Sequence, residues 1–237
     1  MGSELVIAVE ALSAVVALSV FYSTLRACRA QGIPYLLGIP AGFGLLTLAF
    51  ISNLLAAAFG ESLGSGGLML SVVYFLLETY GILFLALTYA RRTRLKFIGE
   101  SFSIELAITG LVTIVVVLHA IVFENIAFSY SVPLTMQLSL RIVMALAAAY
   151  LVYETTRNWT LTRRGGEGAT VFAYAALLVE QLGFVMSTWF FADITTFLGY
   201  EGRLVGLLLL MGICWVNLKK DDFTTLIKRL GLAALAH

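Results

Sequence analysis

The basic residues of this chain lie in every second gap between its long hydrophobic stretches. Thirteen of the fifteen Lys and Arg residues follow this rule, within 26–29, 91–96, 157–164 and 219–229. A stretch of about 20 apolar residues is long enough to cross the hydrocarbon core of a bilayer as a helix. Loops rich in Lys and Arg stay on the cytoplasmic side. The pattern therefore predicts a multi-pass membrane protein with its N-terminus outside and its C-terminus inside.

Seven predicted spans account for this alternation. They cover residues 4–25, 35–59, 68–90, 103–123, 132–153, 169–192 and 199–218. Only 12% of the residues are charged and 60% are hydrophobic, whereas a soluble domain carries about 25% charged residues. We therefore predict an all-α fold: a seven-helix transmembrane bundle over residues 1–218, located in the cell membrane.

Residues 219–237 differ from the spans because apolar and basic residues alternate at helical spacing. The apolar positions are Phe223, Leu226, Ile227 and Leu230, with lysine and arginine at intervening positions. This pattern is typical of a short amphipathic helix on the inner leaflet. Alternatively, the segment is a stop-transfer tail followed by disorder.

An internal repeat is indicated by two pairs of similar segments. Residues 48–53 of the second span resemble 182–187 of the sixth, and the glycine-led run 81–85 of the third resembles 206–210 of the seventh. Spans one to three would then match spans five to seven, with the fourth as a connector, in a parallel 3+1+3 arrangement. Coincidence among apolar segments is the alternative.

Three charged residues lie deep inside the predicted spans. Glu78, Arg141 and Glu180 each fall roughly 13–18 Å from the outer end of their span, at 1.5 Å per residue. Tyr74 lies one turn before Glu78 on the same polar face. Because charges in the membrane are costly, they indicate a site for a ligand or a proton. Alternatively, they form a structural salt bridge that fixes helix packing.

A second, shallower pair of opposite charges is formed by Glu10 in the first span and Arg203 in the seventh. Both lie in the outer third of the bilayer, where they can pair. Long side chains at this depth can also extend to the water interface, and the sequence favours this second interpretation.

Several residue types needed for enzymatic chemistry are scarce. The two histidines, His119 and His237, provide no pair for a haem and no cluster for a catalytic zinc. Three aspartates are too few for an aspartate-rich magnesium site. No phosphate-binding glycine loop is present. We therefore expect no enzymatic activity, cofactor or metal, and with a net charge of +1 we expect no nucleic acid partner.

The seven spans, the outer N-terminus and the 3+1+3 pattern resemble the layout of microbial rhodopsins and related receptor and transporter folds. The seventh span has no lysine between Arg203 and Leu218, so the resemblance does not extend to the retinal Schiff base. Residues 77–89 are similar to multi-helix sensory input modules of prokaryotic signalling proteins. That resemblance implies an attached cytoplasmic kinase or cyclase. This chain stops after its amphipathic tail, so we expect a separate cytoplasmic output partner instead.

These features favour a receptor-like or sensory module that responds to a small ligand, a lipid or a proton. Two alternatives remain: a proton-coupled transporter, and a structural subunit of a larger membrane complex. The expected partners are membrane lipid and a cytoplasmic protein that contacts the basic inner loops. The sequence is also compatible with an oligomer.

Overall fold

A computed structural model describes residues 3–31, 37–63, 65–93, 134–162, 165–190 and 193–218, together with 110, 114 and 225–226. The described chain forms six long α-helices. They are α1 (Ser3–Gln31), α2 (Gly38–Leu63), α3 (Ser65–Thr93), α4 (Leu134–Thr162), α5 (Gly165–Phe190) and α6 (Asp193–Leu218). All six are long and apolar enough to cross a membrane. The protein is therefore a multi-pass, all-helical membrane protein.

The six helices form a closed ring. Each helix packs against its neighbours in chain order, and α6 returns to contact α1. The helices α3 and α5 are antiparallel, since Glu78 is 3.5 Å from Gln181 while Tyr89, further along α3, is 3.4 Å from Tyr174, further back on α5. Because α5 also reverses relative to α4, the helices α3 and α4 run in the same direction. We call the end at which α1 begins the N-terminal end of the bundle.

The surface of the ring is apolar, and its interior contains polar groups among a larger number of buried apolar side chains. Large hydrophobic side chains exposed on the outside include Leu18, Leu146, Phe172 and Trp215. Buried hydroxyls such as Thr24, Thr47 and Thr88 donate to the carbonyl four residues earlier in their own helix. Such local bonds satisfy hydroxyl groups where no water is present.

Glycines bring two helix pairs into close contact. On α2 and α3, a Cβ added at Gly42 would lie 2.8 Å from the Gly81 carbonyl oxygen. On α5 and α6, a Cβ added at Gly202 would lie 2.7 Å from the Ala176 carbonyl oxygen. Small residues permit this backbone approach, which is a main source of helix association in lipid.

We expect Gly202→Ala to lower the unfolding temperature of the purified protein in detergent. The new methyl group would also lie 2.8 Å from the Glu180 backbone nitrogen, and backbone atoms cannot move aside cheaply. Overpacking of this kind costs about 1–3 kcal/mol. The matched control is Gly212→Ala on the same helix, where a Cβ meets nothing within 4 Å. Equal unfolding temperatures for the two variants would contradict this packing.

The structure extends several helices beyond the predicted spans. A loop is expected around residues 157–168, but this is wrong: α4 continues to Thr162 and α5 begins at Gly165. Hydropathy detects the end of the apolar stretch rather than the end of the helix, and polar residues such as Glu154 and Arg157 continue α4 as an i,i+3 ion pair. The fourth predicted span and the 219–237 tail lie outside the described residues, apart from positions 110, 114 and 225–226.

Candidate functional site

Five charged side chains meet inside the ring. We call Glu10 of α1, Glu78 of α3, Arg141 of α4, Glu180 of α5 and Arg203 of α6 the charge cluster. All five are buried, and Arg141 is the most exposed at 5%. They lie roughly 10–20 Å along their helices from the N-terminal end. Five of the six described helices therefore place a charge at one level of the bundle.

Arg203 is the centre of the charge cluster. Its Nε atom donates to Glu180 at 2.5 Å, and its Nη1 atom donates to Glu10 at 2.7 Å. Its Nη2 atom donates to Glu78 at 3.2 Å and to the hydroxyl of Tyr74 at 2.9 Å. A planar guanidinium can serve several acceptors at fixed angles, which a lysine ammonium cannot do. One side chain thus ties α6 to α1, α3 and α5.

Arg141 makes the second set of bonds. Its Nη1 atom donates to Glu78 at 2.9 Å and to the Gln181 side-chain carbonyl at 3.1 Å, and its Nη2 atom donates to Tyr74 at 2.7 Å. Glu78 and Tyr74 therefore each contact both arginines. These two residues of α3 join α4 to α6 across the ring.

Neutral side chains complete the polar contacts around the acids. The amide nitrogen of Asn53 donates to Glu10 at 2.8 Å, and that of Gln181 donates to Glu78 at 3.5 Å. The Phe184 ring lies beside both guanidiniums, 4.4 Å from Arg141 and 5.4 Å from Arg203. Stacking of this kind favours a cation in a place without water.

The structure joins two sets that the sequence treats separately. Glu10 and Arg203 contact each other directly, and Arg203 also contacts Glu78 and Glu180. The expectation that Glu10 and Arg203 extend to the interface is wrong, because both are fully buried at 0% exposure. The described bonds of Glu180 are with Arg203 rather than with Arg141.

A polar cavity of about 240 Å³ adjoins the charge cluster. Its lining residues are Asn53, Ser71, Tyr74, Phe75, Gln137, Arg141, Phe184, Ser187, Thr188, Thr196 and Tyr200. We call this space the polar cavity. Three of its lining residues, Asn53, Tyr74 and Arg141, also form hydrogen bonds within or to the charge cluster. Sequence patterns do not reveal this cavity, because its hydroxyl residues come from different helices.

A further buried acid, Glu154, lies toward the other end of α4. It accepts a hydrogen bond from Tyr150 at 3.1 Å and pairs with Arg157 at 3.6 Å. Sequence reasoning misses it because residue 154 follows the apolar stretch of its span. An acid three residues before an arginine is the available signal, although that pattern usually marks an exposed surface pair.

The charge cluster combines carboxyl and guanidinium groups in unequal number. Three carboxyl groups face two guanidiniums, so the fully ionised cluster has a net charge of −1. No group of three or more His, Cys, Asp or Glu side chains is arranged to hold a metal among the residues described. The cluster links helices through charges and leaves Arg141 next to a polar space.

No family model, curated protein or solved structure matches this chain. The fold and the site therefore define its class: a multi-pass helical membrane protein with a buried, five-residue charge cluster beside a polar cavity. A more specific function has to be argued from that geometry.

Proposed function

We propose that this protein is a receptor-like sensory module without enzymatic activity, and that the polar cavity binds its small ligand. One observation carries the proposal. Asn53, Tyr74 and Arg141 line the cavity and also bond to the charge cluster. A ligand in the cavity would therefore touch the side chains that hold the ring together.

The response would begin at Tyr74 and Arg141. A ligand that hydrogen-bonds to either group competes with the bond between Tyr74 and Arg141. It also competes with the bond from Arg141 to Glu78 or the bond from Arg203 to Tyr74. Buried polar networks are energetically costly to leave incomplete, so such competition shifts the balance between helix arrangements. The helices α3, α4 and α6 would carry that shift along the bundle.

The orientation of the protein belongs to the same proposal. The basic residues predict that the N-terminal end faces outward and the opposite end faces the cytoplasm of a cell membrane. A cytoplasmic protein would then bind at the basic end, where Arg26 and Arg29 of α1 lie, and respond to the change in helix arrangement there. The parallel course of α3 and α4 supports a seventh helix, since the ends that a fourth span would join lie at opposite ends of the bundle.

The ion pairs support the parallel repeat. If α1–α3 correspond to α4–α6, then the α3–α4 contact corresponds to the α6–α1 contact. The first contact holds the pair Glu78–Arg141 and the second holds Arg203–Glu10. The two pairs are equivalent in position: the first triplet supplies the acid of each pair and the second supplies the arginine. This arrangement favours an origin in two complementary halves.

A proton-coupled transporter is the second candidate. The excess of three carboxyl groups over two guanidiniums favours it, because a buried net charge is relieved by binding a proton. Reconstituted vesicles distinguish the two candidates. A transporter would move a solute under a pH gradient, whereas a sensor would bind it without flux.

Filling the polar cavity tests the coupling without a known ligand. Thr188 lines the cavity and its hydroxyl bonds only to its own helix at Phe184 among described contacts, so Thr188→Phe would fill the space at small local cost. Cys28 of α1 and Cys214 of α6 are both buried near the end of the bundle opposite the charge cluster. We expect the variant to change the rate at which N-ethylmaleimide labels these thiols by at least about threefold, since local opening sets such rates.

The matched control is Thr160→Phe. The Thr160 hydroxyl also bonds only to its own helix among described contacts, at Arg157, but it is exposed near the end of α4. It should leave the labelling rates near those of the wild type. Identical rates in Thr188→Phe, Thr160→Phe and the wild type would contradict coupling between the cavity and the far end.

A further inference from the structure

Arg141 gives the polar cavity a positive wall. It is the one charged side chain among the cavity's lining residues in the described chain, and the remaining lining residues are neutral amides, hydroxyls and aromatic rings. The three acids of the charge cluster are not part of the lining. Among the described lining residues, a ligand in this space therefore meets a guanidinium and no carboxylate.

The guanidinium of Arg141 has more N–H donors than it has hydrogen bonds to described residues. An arginine has five N–H groups, and the described bonds to Glu78, Gln181 and Tyr74 use three of them. Within the described chain, one N–H on Nε and one on Nη2 remain for an acceptor. The guanidinium carbon lies 4.4 Å from the Phe184 ring centre and 5.0 Å from that of Phe75, so the group is fixed in direction. A held guanidinium with two N–H groups matches the two oxygens of a carboxylate.

The size of the polar cavity and its other lining residues restrict the class of ligand. At roughly 30 Å³ per water, a space of about 240 Å³ holds a molecule of up to about eight non-hydrogen atoms. Ser71, Gln137 and Thr196 line the cavity along with Arg141 and offer hydroxyl and amide groups. Such groups suit a ligand that has a hydroxyl besides its acid group.

We propose that the polar cavity binds a short carboxylate, such as a small hydroxy acid, through Arg141. The inference rests on the proposed function, because it names the ligand class of the same cavity. The ligand carboxylate takes the two remaining N–H groups of Arg141 and competes with Glu78 for the charge of that guanidinium, which weakens the Arg141–Glu78 bond. A neutral molecule of the same size lacks that interaction.

The net charge of the cluster further predicts that the carboxylate binds together with a proton. A ligand charge next to a cluster of net charge −1 raises the buried excess to −2, which a low-dielectric interior resists. The Oε2 atom of Glu10 is buried and has no hydrogen-bond partner among the described residues, as is also true of the neighbouring Ser13 hydroxyl. The proton goes to this oxygen and leaves the two bonds at Oε1 intact.

The groups around Glu10 come from three other helices. They are Asn53 of α2, Tyr74 and Glu78 of α3, and Tyr200 and Arg203 of α6. Arg203 already bonds to two other acids. Among the three acids of the charge cluster, Glu10 is the one with a buried carboxylate oxygen that has no hydrogen-bond partner in the described chain, so it can take a proton there without losing a bond.

Thermal unfolding of the purified full chain in detergent tests the ligand class. Acetate, lactate and succinate are compared with lactamide, the neutral counterpart of lactate, at equal ionic strength. A carboxylate at one hundred times its Kd should raise the unfolding temperature by roughly 5–10 °C, and lactamide should not. Equal stabilisation by lactamide, or no shift with any carboxylate, would overturn the proposal. A shift that persists in Thr188→Phe would overturn the location.

Calorimetry of lactate binding tests the proton. The binding heat should differ between phosphate and Tris buffers, because the buffer supplies the proton, and the difference should disappear in Glu10→Gln. A binding heat independent of buffer would overturn the proton uptake. These outcomes are separate from the labelling experiment: loss of carboxylate binding with intact thiol coupling removes the ligand class and leaves the sensory function standing.

Discussion

Replacing Arg203 by glutamine should nearly abolish the folded protein. Glu10, Glu78 and Glu180 would lose a shared partner at 2.7, 3.2 and 2.5 Å. Removing one member of a buried ion pair costs about 3–5 kcal/mol, and whole proteins have only about 5–15 kcal/mol of stability. The yield of monodisperse protein in detergent should collapse, and any recovered protein should unfold roughly 6–20 °C lower.

Arg29→Gln is the matched control for this experiment. Arg29 is exposed in the last turn of α1. Substitutions of exposed surface residues usually change stability by about 0.5 kcal/mol or less, so the yield should hardly change. Arg203→Lys keeps the charge without the planar fork and should fall between the two variants. Wild-type stability of Arg203→Gln would show that Arg203 does not organise the ring.

Replacing Glu78 by glutamine should destabilise the protein far more than replacing Glu10. Both changes remove one negative charge and make the fully ionised cluster neutral. Glu78, however, is the carboxylate paired with Arg141 among the described contacts, whereas Arg203 keeps Glu78 and Glu180 when Glu10 is replaced. We expect a loss of about 3 kcal/mol or more for Glu78→Gln and of about 1 kcal/mol or less for Glu10→Gln.

Denaturation of both variants in the same detergent measures the difference. Glu4→Gln, at the exposed start of α1, serves as the control for removing an acid from the surface. If Glu10→Gln and Glu78→Gln lose the same stability, net charge rather than individual pairing governs the cluster. If neither differs from Glu4→Gln, the cluster contributes no measurable stability.

Hydropathy and charge predict six of the described helices because lipid imposes a simple rule on the chain. Each span needs about 20 apolar residues, and the segments around Phe50 or Leu207 satisfy this need without reference to the rest of the fold. The helix ends are predicted less well. The positions from Glu154 to Thr162 are polar yet helical, since helix propensity continues where the hydrocarbon ends.

The charged positions follow from the sequence, but their pairing does not. Glu78, Arg141 and Glu180 stand out because ions are rare in spans. Which acid meets which arginine depends on helix order and rotation, and these are set by contacts such as Gly202 against Ala176. The same rotation brings Asn53 and Tyr74 toward the cluster and creates the polar cavity. No local pattern encodes these distances.

The closure of the ring between α1 and α6 has a consequence for how the chain is made. Glu10 and Arg203 are 193 residues apart, so at about 5–20 residues per second the ribosome completes the second residue roughly 10–40 seconds after the first. During that interval the acid of the newly inserted first helix has not yet met its arginine. The helices inserted first therefore carry an acid without its arginine until the last span is inserted, and the ring closes only at that point.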